Sequence, residues 1–280
     1  MSLAYVAAAA AAYGAGWAVR GEPTLLVVAV ADVVATLVVF GFSVGLNNSS
    51  VYDPYWSVAP LPIAAFLLAT APEAVPATRQ VLVTGLIILW GLRLTWNWAR
   101  GWPGLHHEDW RYVDIRGWSG RLYWPASLVT IHLLPTAWVF GGLLSAWVAL
   151  AVGTRPLGWL DGLAALCTLG AIAVEAEADR ELARFKARGP AREEILESGI
   201  WRLSRHPNYF GEVSFWWGLY LFALAADPTR WWVVVGPLCL TALFAFISLP
   251  LIEKRMVARR PHYADRIRRV SAIVPWFPRS

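Results

Sequence analysis

Asn208 and Glu212 stand four residues apart in the segment Ser204-Arg-His-Pro-Asn-Tyr-Phe-Gly-Glu212. That spacing places an amide and a carboxylate on one helical face. Pro207 suits the first turn of a helix, where the missing N–H costs nothing. The free N–H groups and positive dipole end of such a helix would lie beside Arg202 and Arg205, an anion site fit for phosphates or a carboxylate. An apolar, tryptophan-rich run follows from Val213 to Ala225. The pattern predicts a nucleotide-cofactor pocket, with a basic collar outside and its reactive end beside Asn208 and Glu212 just inside a membrane boundary.

Other residues could do chemistry. Asp53 lies in the polar break Asn47–Trp56. A partly desolvated carboxyl there has a raised pKa and can give a proton to a carbonyl; Asp-Pro suits a helix N-cap equally well. Tyr52 and Tyr55 flank it as further donors. In the loop 99–122, Asp109, Arg111 and Tyr112 could hold a ribose or phosphates, or the loop is simply solvated. The run His106-His-Glu-Asp109 lacks the i,i+4 convergence of a zinc site, and no metal is expected. Asp32, Arg93 and His132 are ionisable groups inside apolar runs, where such groups are costly and functional by default. An Asp32–Arg93 ion pair would lock two helices. His132, three residues before Pro135, either bonds a carbonyl freed by a kink or donates a proton. Trp90, Trp96, Trp98, Trp216 and Trp217 cluster in sequence beside these polar groups. They form either the wall of a pocket for a flat hydrophobic substrate or part of an interfacial belt.

The elements that must position these groups are membrane helices. Of 280 residues, 58% are hydrophobic and 15% charged, with a mean hydropathy of +0.48, too apolar for an ordinary soluble domain. Apolar runs occur near 3–19, 24–46, 57–70, 80–98, 123–152, 157–174, 213–225 and 231–252. A span needs about 20 such residues, so 57–70 and 213–225 must borrow neighbours or re-enter the membrane. We expect an all-α bundle of about eight spans, with seven to nine admissible. It forms one integral-membrane domain over 1–280: N-terminal spans 1–98, a cytoplasmic loop 99–122, and a C-terminal region 123–280 that holds the cofactor site. Pro135 should kink the fifth run, and the helix after Val174 should leave the membrane unbroken until Gly189-Pro190.

The net charge is +5, and its distribution speaks to topology. Seven cations fall between Arg180 and Arg205, eight between Lys254 and Arg279, and Arg100, Arg111, Arg116 and Arg121 lie around the 99–122 loop. The positive-inside rule puts these three segments, and by counting both termini, in the cytoplasm. Arg20 and Arg79 then face outward, against the rule. Membrane topology explains the basic charge without nucleic acid. The two cysteines, Cys167 and Cys239, lie in apolar runs and read as free thiols.

Arg205-His-Pro-Asn-Tyr-Phe-Gly-Glu212 with its Trp-rich helix, His262-Tyr263 and the closing Val274-Pro-Trp-Phe-Pro278 resemble the steroid 5α-reductase C-terminal-like superfamily. Asp53-Pro-Tyr-Trp56, Trp90-Gly-Leu-Arg93 and Glu108-Asp-Trp-Arg-Tyr112 are similar to an uncharacterised bacterial branch of it. The likeness spans roughly 45–280 and is strongest from 175 onward. It implies an NADPH-dependent membrane oxidoreductase acting on an activated C=C bond, with nicotinamide inside the bundle and the adenosine phosphates among cytoplasmic loops. Asn208 and Glu212 match the family's asparagine and glutamate near the nicotinamide. Tyr263 matches a tyrosine of the phosphate region, Asp179 an adenine-side aspartate, and Arg100 an arginine beside the diphosphate. His206, Tyr209 and His262 belong to the motifs that carry the likeness and go with the cofactor. Asp53 stands about where the reductases keep a glutamate for the substrate ketone, whereas Trp90 replaces their substrate-binding tyrosine.

Isoprenylcysteine carboxyl methyltransferases and phospholipid N-methyltransferases share Arg-His-Pro-x-Tyr-x-Gly and an acid like Glu253, which implies S-adenosylmethionine as the alternative cofactor. A non-catalytic membrane protein is the second alternative. The expectation is a monomeric reductase of a steroid- or lipid-like substrate in a bacterial inner membrane, with its cofactor site facing the cytoplasm. Asp53, Tyr55 and Glu212 are its catalytic candidates, and Trp90, Trp96, His132 and Trp216 its substrate pocket.

Overall fold

The computed structural model describes residues 1–279. Among them every regular element is helical, the form in which a chain this apolar satisfies its backbone N–H and C=O groups without water. Helices α1 (Ser2–Ala18) and α2 (Thr24–Gly45) pack as a hairpin across the turn at Gly21-Glu-Pro23. A 3₁₀ turn over Ser49–Tyr52, capped by the Asn48 side chain accepting from the Ser50 N–H at 2.8 Å, leads into α3 (Tyr55–Val58) and α4 (Pro60–Ala69). Next come α5 (Ala77–Gly101), α6 (Trp110–Ser119) and α7 (Tyr123–Ser127). A π-helical stretch at Leu128–Leu133 joins α7 to α8 (Leu134–Trp147). Then follow α9 (Trp159–Ala187), α10 (Pro207–Ala226), α11 (Val235–Leu243), α12 (Leu249–Arg259) and α13 (Tyr263–Arg269).

Five helical stretches are long and apolar enough to cross a membrane: Thr24–Gly45, Ala77–Gly101, Trp110–Val152, Trp159–Ala187 and Pro228–Arg259. The helices fit an integral membrane protein, with fewer qualifying spans than the eight expected. Run 3–19 forms a 17-residue helix, and 57–70 borrows back to Tyr55, α3 passing into α4 through Ala59 in helical conformation. Run 213–225 borrows residues back to Pro207 to form the 20-residue α10. Pro135 does not split its run in two; the π-helical turns before it keep the rod continuous. Helix α9 passes Val174 without a break and ends at Ala187, two residues before Gly189 at φ +62°. The loop 99–122 is not wholly irregular, because Asp109 caps α6 by accepting from the Arg111 N–H at 2.9 Å.

The core centres on α10, where Phe215, Trp216, Leu219 and Phe222 are essentially inaccessible and pack with Trp90 and Leu150. Helices α9 and α10 approach closely because Gly211 has no side chain: a Cβ there would stand 2.8 Å from the Ala171 carbonyl oxygen. Arg79 is not the free outward charge that its sequence position suggests. It is fully buried, donating to Asp161 at 2.7 Å and to the Arg155 carbonyl at 2.8 Å. Asp161 also accepts from the Gly158 N–H at 2.9 Å, closing the start of α9. Arg20 lies over the Trp17 ring at 4.0 Å and bonds that residue's carbonyl.

Candidate cofactor site

Three helices bring polar side chains together in this core. From α5 come Trp90, Arg93 and Asn97; from α9, Glu175 and Asp179; from α10, Asn208, Glu212 and Trp216. Glu212 is buried and clamped between two indoles. Trp90 Nε1 donates to one carboxyl oxygen and Trp216 Nε1 to the other, each at 2.9 Å. The Trp90 and Phe215 rings stack with centroids 4.5 Å apart, which fixes the Trp90 indole. One turn along α5, Arg93 donates to Asp179 at 2.8 Å and stands 2.6 Å from Glu175 in an ion pair lacking hydrogen-bond geometry. Asn97 Nδ2 reaches Asp179 at 3.0 Å.

This cluster is not internally satisfied. Arg93 Nη2 and Glu175 Oε2 are taken up with each other in that ion pair, whereas Arg93 Nε and Asn208 Oδ1 are buried without a hydrogen-bond partner. Buried polar atoms are almost always paired, and each one left alone costs about 1–3 kcal/mol. Two such atoms in one cluster mark a place fit to receive a polar group from elsewhere.

The sequence-predicted residues fall into distinct neighbourhoods. Asn208, Glu212, Trp90, Trp216 and Asp179 share the three-helix cluster. Asp179 sits there within α9 as the acceptor of Arg93 and Asn97, rather than in an open loop. The Asp32–Arg93 pair does not form: Asp32 accepts from Tyr55 instead, at 2.7 Å. Trp96 is 64% exposed on the outer face of α5, away from the pocket assigned to it. His132 is buried in another cluster, with Nε2 3.1 Å from Ser43 Oγ and Nδ1 3.0 Å from the Ser127 carbonyl oxygen. Arg100 and His262 are exposed.

Asp53 is not the side-chain cap of α3. It accepts from Tyr112 Oη at 2.7 Å, and burial pushes its carboxyl up to about 6, with the Tyr112 bond and Arg111 working against that rise. Arg111 is bound to Asp109 at 2.8 Å and lies within electrostatic reach of Tyr209 in the first turn of α10. Asp53, Tyr112 and Arg111 thus form one connected group, the guanidinium lying 5.6 Å from the Tyr112 ring centroid.

Arg205 and His206 have a different role from a phosphate collar. Arg205 Nε donates to Glu253 at 2.6 Å and its Nη1 to the carbonyls of Ile267 and Val270; His206 Nε2 is 3.2 Å from the same carboxylate. The Arg205 and His206 N–H groups bond the Ser271 and Ala272 carbonyls, and Trp276 N–H bonds Leu203. Together they fasten the C-terminal tail to the start of α10. Burial holds His206 below the usual imidazole range despite Glu253 beside it, and pushes the nearby Tyr263 phenol up. Tyr209 stacks on His206 with ring centroids 5.5 Å apart.

Glu175 was not singled out from sequence as a site residue. The signal was present: it is an acid ending an apolar run, four residues before Asp179, with the spacing of Asn208 and Glu212.

Fold and site together define a helical membrane protein with a buried, incompletely paired polar cluster beside its central helix. The chain belongs to DUF1295, a family described as "Protein of unknown function", whose model matches residues 39–270; it is a steroid 5α-reductase-like family. An uncharacterized protein of Schizosaccharomyces pombe is 27% identical over 249 residues, covering 81% of this chain and 72% of the yeast protein. That relative is eukaryotic and gives no support to a specifically bacterial branch. No solved structure matches.

Proposed function

We propose that this chain is a membrane-embedded NADPH-dependent reductase of an activated C=C bond in a hydrophobic substrate. The observation that supports it is the set of orphaned buried atoms around Glu212. A primary carboxamide, such as that of nicotinamide, carries both N–H donors and a carbonyl acceptor. Asn208 Oδ1 is an unpaired acceptor, and Arg93 Nε an unpaired donor, in one buried cluster. The residues present therefore fit the group. Glu212, immobilised by Trp90 and Trp216, sets the anionic wall of that pocket. The exposed Arg100, at the end of α5, is free to meet phosphates.

Held by Asn208 and Arg93, NADPH would supply a hydride to the C=C bond of an enone-like substrate. We assign Asp53 to polarise the substrate oxygen: desolvation raises its half-buried carboxyl to about 6, and Tyr112 holds it by a hydrogen bond of 2.7 Å. Trp90 cannot donate a phenolic proton and is already bonded to Glu212, so the polarising role falls on the Asp53–Tyr112 pair. A second reading, a methyltransferase using S-adenosylmethionine, rests on the Arg205–His206–Glu253 assembly, which belongs to the segment shared with those enzymes.

The test is thermal unfolding of the purified protein with NADPH, NADH or S-adenosylmethionine. A ligand at a hundred times its dissociation constant stabilises by about 2.7 kcal/mol. A shift with NADPH is expected; a shift with S-adenosylmethionine alone overturns the reductase in favour of the methyltransferase.

A further inference from the structure

Helix α3 separates two environments. On one side Ser57 Oγ bonds Thr95 at 2.7 Å and the Ser57 carbonyl faces Gly91, so α3 seats on α5 beside the Glu212 cluster. On its other side Tyr55, Val58 and Ala59 face a cavity of about 610 Å³ whose remaining walls are α1, α2 and α4. Ligand pockets fall in the range of about 300–1,000 Å³. Small residues make the room: Ala8, Ala12 and Gly16 on α1 and Ala31 on α2 line it. Helix α1 packs along α2, whereas α1 and α4 face each other across the gap without packing. A molecule dissolved in the bilayer would enter sideways between them.

Apart from Arg20 and Glu22 at the α1–α2 turn the walls are largely apolar, but the floor is not. Asp32, only 5% exposed and midway along an apolar helix, lines the cavity. One carboxyl oxygen accepts from Tyr55 Oη at 2.7 Å; the other has no protein donor among the described residues, and no cation pairs with it. The phenol is itself held rigidly. The Tyr55 ring stacks on Tyr52 at 5.0 Å, Tyr52 Oη pairs with Thr136 Oγ1 at 2.8 Å, and Tyr5 Oη donates to the Val51 carbonyl at 3.0 Å. An unpaired carboxyl oxygen at membrane depth is costly and marks a functional position.

We propose that this cavity binds an elongated lipid alcohol, its chain along α1 and α4 and its hydroxyl on the free oxygen of Asp32. A hydroxyl both donates and accepts, so it complements the carboxyl in either protonation state. A plain acyl chain leaves that oxygen unpaired, and an ammonium complements only the ionised carboxylate. The site stands on its own geometry and holds whichever cofactor the Glu212 cluster takes.

The experiment is photolabelling of the purified full-length protein with diazirine-bearing hexadecanol, hexadecane and hexadecylamine of matched chain, mapped by peptide mass spectrometry. The hexadecanol probe is expected to label α1, α2 and α4 about tenfold more than the hexadecane probe, the ratio that one modest hydrogen bond of 1.4 kcal/mol confers. Asp32→Ala should reduce that labelling to the alkane level while Asp32→Asn retains it. If Asp32→Ala does not survive purification, Ala12→Phe decides, because filling the cavity must abolish hexadecanol labelling there. Equal labelling by alcohol and alkane, preferential labelling by the amine, or labelling that survives Ala12→Phe overturns the proposal. NADPH-induced stabilisation, read separately on the same variants, is expected to be unchanged in all of them.

Discussion

Two buried assemblies of arginine and carboxylate lie at the two ends of one stretch of chain, and they are finished to different degrees. At Arg205 the guanidinium has Glu253 and two backbone carbonyls, His206 shares the carboxylate, and neighbouring N–H groups are taken by the tail. No side-chain atom of Arg205, His206 or Glu253 is buried without a partner. Seven residues on, around Glu212, Arg93 Nε and Asn208 Oδ1 are buried without partners. Folding alone rewards the first arrangement and penalises the second. A motif that looks uniform in sequence therefore divides into a clip that closes the fold and a pocket whose pairing is completed by something bound.

This contrast predicts an ordered series of effects. Arg205→Ala leaves the half-buried Glu253 with only His206 beside it and frees the Ile267 and Val270 carbonyls, unfastening the tail. Removing one partner of a fully buried pair costs about 3–5 kcal/mol, the upper bound here. The thermal midpoint should fall steeply, and limited proteolysis should release residues after Arg269. A stable variant with a protected tail would break the distinction. Glu212→Gln keeps the shape but sets an amide N–H₂ against one indole N–H, leaving a donor unsatisfied. A loss of about 1–3 kcal/mol is expected, together with loss of NADPH-induced stabilisation.

Asp53 gives a smaller, pH-dependent effect. Its folded-state pKa of about 6 lies above the ordinary 3.8, so the folded protein holds that proton more tightly than the unfolded chain. The stability this contributes is full below about pH 4 and is lost as pH rises through 6. Asp53→Asn does not titrate. Its stability relative to the parent should therefore rise between pH 4 and 6 and level off above 7, by on the order of 1 kcal/mol; a constant offset in parallel pH scans would remove the buried-carboxyl account. Asn208→Ala should have the least effect on stability, within about 0.5 kcal/mol, because Asn208 Oδ1 bonds nothing in the fold. It should nevertheless lose most of the NADPH-induced midpoint shift. An unchanged shift would take Asn208 out of the pocket.

Part of this was legible in one dimension. Long apolar runs determine an all-helical membrane protein, since unpaired backbone in lipid admits little else, and Pro207 and Gly189 set helix ends where they fall. The i,i+4 spacing of Asn208 and Glu212 required a shared face, and both do meet the α5–α9–α10 core. Partner choice was not legible, because it depends on which helices are neighbours and at what height. Asp32 and Arg93 are complementary charges in apolar runs, yet Tyr55 claims one and Asp179 and Glu175 the other. Trp90 and Trp96 are six residues apart on α5, and one clamps Glu212 while the other faces outward.

Composition and periodicity thus determined that this chain is a bundle of membrane helices with polar groups at one end of α10, because burial and backbone pairing act on each segment locally. Only the tertiary structure decided which cations are consumed internally, as Arg79 and Arg205 are, and which polar atoms are left waiting, as on Arg93 and Asn208. The physical reason is that satisfaction of a buried polar group belongs to the contacts between segments, and no single segment contains them.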